Sequence, residues 1–150
     1  MTSSPEAAGR SLPRLAAILL AGLVAATAPA AEAAPLTSAK FRTPSRNIGC
    51  AFSRPSSSSA YLRCDILSGL RPEPRRACDF DWVGLALTGR GRGRPNCGSD
   101  TVYARRAPVL RYGRTWRRGP FRCVSRRRGL RCTNRAAHGF FLSRQRWRVF

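Results

Sequence analysis

Acidic residues, lysine and histidine are scarce in this sequence. Its 150 residues contain 7 Asp plus Glu against 28 Lys plus Arg, which gives a formal net charge of +21. Lys40 is the only lysine and His138 the only histidine. A mechanism that needs two histidines is therefore excluded, and the paired carboxylates of a glycoside hydrolase have few candidates. Arginine supplies nearly all of the positive charge.

Long hydrophobic runs are also missing. The apolar run from Leu15 to Ala28 is too short to span a bilayer, follows Arg10 and Arg14, and ends in small residues around Pro29. We therefore predict a cleaved signal peptide over residues 1–34, a linker or lead-in over 35–45, and a single domain over 46–150. The mature protein is expected to be secreted and to have no transmembrane segment.

No Cys-x-x-Cys pair occurs, and one histidine cannot complete the usual zinc ligand sets, so we expect neither a metal nor a cofactor. All six cysteines follow residue 49. An even number of cysteines in an exported chain of this size predicts three disulfides, for which 15 pairings are formally possible.

The alternation of side chains along predicted strands reduces the number of possible disulfide pairings. In the segment from Phe121 to Thr133, Cys123 and Cys132 take the same face of a predicted hairpin. Cys50 and Cys64 do so in an earlier segment that also ends in Leu-Arg-Cys, with Arg63 and Asp65 pointing outward. By elimination, Cys78 pairs with Cys97.

Five prolines after residue 70 break any long helix, and glycines stand where turns are needed. The chain is thus predicted to be a mostly β, small, disulfide-stabilised single domain built from antiparallel hairpins. Further strands are predicted at Thr101–Ala104, Val109–Tyr112 and Phe141–Phe150, although the last could form a short helix.

An ordered series of residues then resembles a known pattern. It runs through Phe41-x-Thr43-Pro44-Ser45-x-Asn47-Ile48-Gly49-Cys50, Arg63-Cys64-Asp65-Ile66, Asp100-Thr101-Val102, Leu110-x-Tyr112-Gly113, Phe121-x-Cys123, Gly129-Leu130-x-Cys132-x-Asn134 and His138-Gly139-Phe140. The pattern is similar to that of a family of uncharacterised secreted actinobacterial proteins with six cysteines, a domain of unknown function. The resemblance implies a secreted, cysteine-bridged domain and transfers no catalytic role. The arginine load, for example at Arg46 and Arg126–Arg128, departs from the pattern.

The carboxy-terminal third interleaves arginines with aromatic residues and predicts a basic sheet face. The binding residues that we predict are Arg122, Arg126, Arg127, Arg128, Arg131, Arg144, Arg146 and Arg148. Such a face attracts anionic polymers or surfaces of the cell envelope, and nucleic acid without specificity. The alternative is a solvated, compositionally biased surface with no ligand.

A small secreted, nuclease-like hydrolase is the other class of function, with His138 as base and Asp100 or Ser99 as partner. Simpler roles are a turn histidine for His138 and an Asx turn for Asp100. The Gly89–Pro95 segment predicts a mobile hairpin loop, with an anion site or the reactive loop of an inhibitor as alternatives. Asp79 and Asp81 suggest capping or ion pairs with Arg75 and Arg76 rather than a calcium site.

Overall fold

A computed structural model describes residues 37–55 and 59–150, which form two antiparallel sheets of five strands each. The described residues contain no helix, and the mostly β fold class is confirmed. The first sheet consists of β1 (Thr37–Arg42), β2 (Ile48–Arg54), β3 (Tyr61–Ile66), β4 (Asp81–Thr88) and β5 (Arg94–Gly98). The second consists of β6 (Thr115–Arg118), β7 (Phe121–Arg126), β8 (Gly129–Thr133), β9 (Gly139–Leu142) and β10 (Trp147–Val149). The predicted signal peptide at 1–34 lies outside the described residues.

Each sheet is a meander in which every strand pairs with the next one along the chain. Short turns make this order possible. The β6–β7 connection is only Gly119–Pro120, and Gly119 has a φ of 52°, the sign that a type II′ hairpin turn requires at its first central residue. β1 lies in the segment where we predicted a linker or lead-in, and it pairs with β2 along its whole length.

The hydrophobic core lies between the inner faces of the two sheets. Phe52 of β2 meets Phe121 of β7 edge to face, with ring centroids 6.0 Å apart. Phe41 of β1 contacts Trp116 of β6 at 4.8 Å. Leu62, Leu85, Leu130 and Leu142 are completely buried in the same cluster. Strand alternation thus sends apolar side chains inward from both sheets and leaves the opposite faces for polar residues.

The three disulfides have the pairing predicted from alternation. Cys50–Cys64 links β2 to β3, and Cys123–Cys132 links β7 to β8, each with Cα atoms 4.1 Å apart. Both bridges are buried in the core. Cys78–Cys97 ties the segment before β4 to β5 and is partly exposed. Each sheet therefore carries one buried bridge between its second and third strands.

Three strand predictions need correction. Thr101–Ala104 is not a strand, because the amide of Val102 donates to the side chain of Asp65 at 2.8 Å instead of to a neighbouring strand. Val109–Tyr112 contributes only one isolated bridge, between Val109 and Arg42. Phe141–Phe150 is neither one strand nor a helix. It contains the end of β9, a turn and β10.

Candidate anion-binding site

The outer face of the second sheet carries a row of side chains set by strand register. Val124 lies opposite Arg131, Arg131 opposite Phe141, and Phe141 opposite Arg148, across β7 to β10. Arg122 and Arg126 share the face of Val124 on β7, since side chains two residues apart point the same way. Their inward neighbours Phe121, Cys123 and Ser125 are buried, so the arginines stand in solvent.

This face is concave and forms a cavity of about 470 Å³. Its volume lies within the range of small-ligand sites. Six of the eight arginines predicted to bind anions line it, and we call them the arginine face: Arg122, Arg126, Arg128, Arg131, Arg146 and Arg148. Phe141 and Trp147 complete much of the wall, and no acidic side chain from residues 37–55 or 59–150 is part of it.

Aromatic rings hold several of these guanidinium groups in place. The Cζ of Arg131 lies 4.1 Å above the ring of Phe150, and that of Arg148 lies 5.8 Å from the same ring. Arg146 approaches Phe141 at 5.7 Å. These cation–π contacts restrict the long side chains while leaving their hydrogen-bond donors available, which reduces the entropy cost of binding an anion.

The other two predicted arginines, Arg127 and Arg144, line a second cavity of about 210 Å³. It shares Arg126, Arg128 and Gly129 with the larger one, so the two meet at the β7–β8 turn. Arg127 is stacked on Tyr112 at 5.5 Å. All eight arginines therefore line two adjoining cavities.

The arginine face carries uncompensated charge. Over residues 37–55 and 59–150, the ion pairs are those of Arg63 with Asp65 and with Asp100. No acidic residue follows Asp100 in the sequence. Among the residues that the structure describes, the carboxy-terminal sheet thus presents arginine without a paired carboxylate, and an external anion would meet no competing carboxylate from them.

Arg63, in contrast, forms ion pairs with two carboxylates of the same chain. Like Arg131, it lies on the third strand of its sheet, between the Leu and Cys of a Leu-Arg-Cys sequence. Its Nε and Nη2 donate to Asp65 at 2.9 and 3.0 Å, and its Nη1 donates to Asp100 at 2.9 Å. We predicted that Arg63 and Asp65 point outward from the core. Asp65 is nevertheless only 1% exposed, and the segment from Asp100 to Val102 hydrogen-bonds to it and to Arg63.

Comparison with known proteins identifies the family. Residues 15–150 match the model of a family of unknown function, DUF6636. The chain belongs to this family. The predicted resemblance to a six-cysteine domain of unknown function is confirmed. No curated protein and no solved structure matches the chain significantly. The description of the DUF6636 family names no activity.

His138 and Asp100, the candidate catalytic pair, have separate partners. The ring Nδ1 of His138 lies 2.9 Å from the carbonyl oxygen of Arg90. Asp100 accepts from Arg63 instead of closing an Asx turn, and no hydrogen bond joins it to His138. Hydrogen bonding and the positive charge of Arg63 lower the pKa of Asp100, which makes this carboxyl a poorer base. The pair therefore lacks the contact that a hydrolase would use.

His138 and Asn134 instead hold the Gly89–Pro95 loop. The side-chain amide of Asn134 donates to the carbonyl oxygens of Thr88 and Gly91 at 2.9 and 2.8 Å. Gly93 packs so tightly that a Cβ would lie 2.5 Å from the carbonyl oxygen of Gly139. The loop predicted to be a mobile hairpin is thus fastened to the turn before β9 at several points.

Asp79 and Asp81 form no ion pair with Arg75 or Arg76 in the described part of the chain, so the ion-pair alternative is wrong. The four residues are exposed. Within residues 37–55 and 59–150, no group of three or more His, Cys, Asp or Glu side chains could hold a metal ion. No helix in these ranges is long and apolar enough to cross a membrane.

Sequence reasoning missed the uncharged residues of the site. Phe150 could have been recognised, because it stands two residues after Arg148 in the alternating run of Arg144, Arg146 and Arg148. Phe141 has no arginine within two residues, and only its register opposite Arg131 and Arg148 places it among them. Ser45, Asn47 and Gln145 line the second cavity, and no sequence feature marked them as binding residues, although Ser45 and Asn47 belong to the pattern of the family resemblance. Ser45 and Asn47 precede the second sheet by about 70 residues, and only the packing of the two sheets brings them to it.

Proposed function

We propose that this protein is an exported, non-catalytic module that binds anionic polymers of the cell envelope through the arginine face. The observation that carries the proposal is one cavity lined by six arginines with no acidic side chain in its wall. Three disulfides suit a protein that works beyond the membrane. The signal peptide proposed for residues 1–34 would deliver it there.

Arginine suits this role for a chemical reason. Its planar guanidinium can donate two parallel hydrogen bonds to one phosphate or carboxylate, which lysine cannot do. Several such contacts along one polymer release condensed counterions, so affinity should fall steeply as salt rises. The polymer needs no particular sequence, only repeated charge.

A pair of charge-matched variants tests the site. Arg131→Gln/Arg148→Gln removes two charges from the arginine face, while Arg105→Gln/Arg106→Gln removes two exposed charges elsewhere and keeps the same net charge. Binding to polyglycerol phosphate should weaken about tenfold or more in the first variant, at about 1 kcal/mol per arginine, and much less in the second. Binding to the parent should also decline with added salt.

Two outcomes would contradict the proposal. An equal loss in both variants would mean that net charge alone sets the attraction, which is the solvated-surface alternative. Retention of the polymer at high salt would mean that ion pairing does not drive binding. The two variants should have similar melting temperatures, because each removes two exposed arginines that form no ion pair in the described part of the chain and lowers the net charge equally.

A further inference from the structure

The second cavity differs chemically from the first. Beside Arg127 and Arg144, its wall contains neutral polar groups: Ser45, Asn47, Ser143 and Gln145. Hydroxyl and amide groups donate and accept hydrogen bonds without charge, which suits a hydroxyl group more than a phosphate. The wall therefore offers two kinds of contact within one small space.

Tight turns fix this wall. Ser143 Oγ donates to the carbonyl oxygen of Arg146 at 2.9 Å and accepts from the amide of Arg146 at 3.2 Å, which closes the β9–β10 turn around Arg144 and Gln145. On the other side, the amide of Arg46 donates to the carbonyl oxygen of Thr43 at 3.0 Å, which closes the turn that carries Ser45. Both Gln145 and Ser45 are exposed, so their polar groups can be reached by a ligand.

The two cavities meet at Arg126, Arg128 and Gly129. A linear polymer lying along the arginine face can therefore continue over the β7–β8 turn into the second cavity. Guanidinium groups already lie over the rings of Phe141 and Phe150, so these rings offer little stacking surface to a nucleobase, and the half-buried Trp147 is the remaining aromatic side chain that the described residues place in the wall of the larger cavity. The arrangement favours a polymer without aromatic rings.

We propose that the second cavity is a subsite for the hydroxyl-bearing linker of an anionic carbohydrate or polyol polymer, whose charged groups the arginines hold. This inference rests on the proposed function and adds a ligand class to it. It assigns Gln145 and Ser45 as residues that recognise the linker, while Arg126 and Arg128 hold the charged group between the two cavities.

Three probes distinguish recognition of the charged groups from recognition of the linker. They are polyglycerol phosphate, glycerophosphoglycerol as a single short repeat, and inorganic polyphosphate, which has no hydroxyl-bearing linker. The variant Ser45→Ala/Gln145→Ala keeps every charge. It should bind polyglycerol phosphate about fivefold more weakly than the parent, the effect of losing about one net hydrogen bond. Its affinity for the short repeat should fall by a similar factor, because that repeat also has a hydroxyl-bearing linker, and its affinity for polyphosphate should be unchanged. Ser99→Ala, at an exposed serine outside both cavities, is the control.

The outcomes distinguish this inference from the proposed function. If Ser45→Ala/Gln145→Ala binds all three probes like the parent, the subsite is wrong, while the proposed function stands as long as Arg131→Gln/Arg148→Gln loses polymer binding. The subsite would also be wrong if the variant lost as much affinity for polyphosphate as for polyglycerol phosphate. It would likewise be wrong if the parent bound single-stranded DNA more tightly than polyglycerol phosphate of equal charge. No binding of any polymer by the parent would overturn both. Circular dichroism of each variant establishes that it is folded.

Discussion

Among single residues, Arg63 is the arginine whose loss the fold should tolerate least. It satisfies Asp65, which is 1% exposed and would otherwise be a buried carboxylate with only the Val102 amide as partner. Arg63→Gln should therefore reduce the free energy of unfolding by about 3–5 kcal/mol. Arg131→Gln, at the corresponding position of the second sheet, should cost less than about 1 kcal/mol because no acid depends on it. Urea denaturation of both variants checks the contrast, and similar losses would contradict it.

The second ion pair of Arg63, with Asp100, should make the stability of the fold depend on pH. Because Arg63 lowers the pKa of Asp100, the pair stabilises the fold fully above the unfolded value of about 3.9, and this stabilisation is lost as pH falls through the lower folded value. Asp100→Asn should remove that part of the acid sensitivity and leave the rest. Urea midpoints measured from about pH 6 down to about pH 2 would reveal the difference. Parallel curves for parent and variant would show that the pair is not linked to folding.

At the scale of elements, the β7–β8 turn shapes both cavities, and Gly129 is the residue that permits it. Gly129 has a φ of 145°, and a Cβ there would lie 2.6 Å from the carbonyl oxygen of Leu142 and from the ring of Phe141. Gly129→Ala should therefore destabilise the fold by about 1–3 kcal/mol and weaken polymer binding by displacing Phe141. Gly113→Ala is a matched control, since Gly113 has a φ of 79° but open space around it. The melting temperature of Gly129→Ala should be well below that of Gly113→Ala. Equal melting temperatures would mean that steric contact of the new Cβ does not destabilise Gly129→Ala.

Local sequence predicted those elements whose pairing is local. The two Leu-Arg-Cys hairpins and their disulfides follow from period-two alternation, because the cysteines of each pair face each other across adjacent strands. Thr101–Ala104 was predicted wrongly, since the amide of Val102 donates to the side chain of Asp65, 37 residues away, instead of to a neighbouring strand. The same limit applies to the site: the arginines were visible as a run, whereas Ser45 reaches its cavity only through the packing of two sheets.

Across the whole molecule, the fold must withstand its own charge. A net charge of +21 disfavours the compact state through self-repulsion, and the second sheet places arginines on one face without internal counterions. Each disulfide offsets this by about 3 kcal/mol through loop closure, and together they approach the 5–15 kcal/mol of net stability typical of a domain. The arginine face is thus an arrangement that covalent bridges help to maintain.

Reduction should therefore abolish the cooperative thermal transition at low salt. Added salt screens the repulsion between exposed arginines, so it should raise the melting temperature of the oxidised protein and restore part of the transition in reductant. Calorimetry with and without a strong reductant, at low and high sodium chloride, measures both effects. An unchanged melting temperature after complete reduction would mean that the core between the sheets suffices alone. If salt instead lowered the melting temperature, electrostatic attraction within the chain would outweigh the repulsion between arginines. We do not expect this result, because the ion pairs of the described residues are those of Arg63 with Asp65 and Asp100.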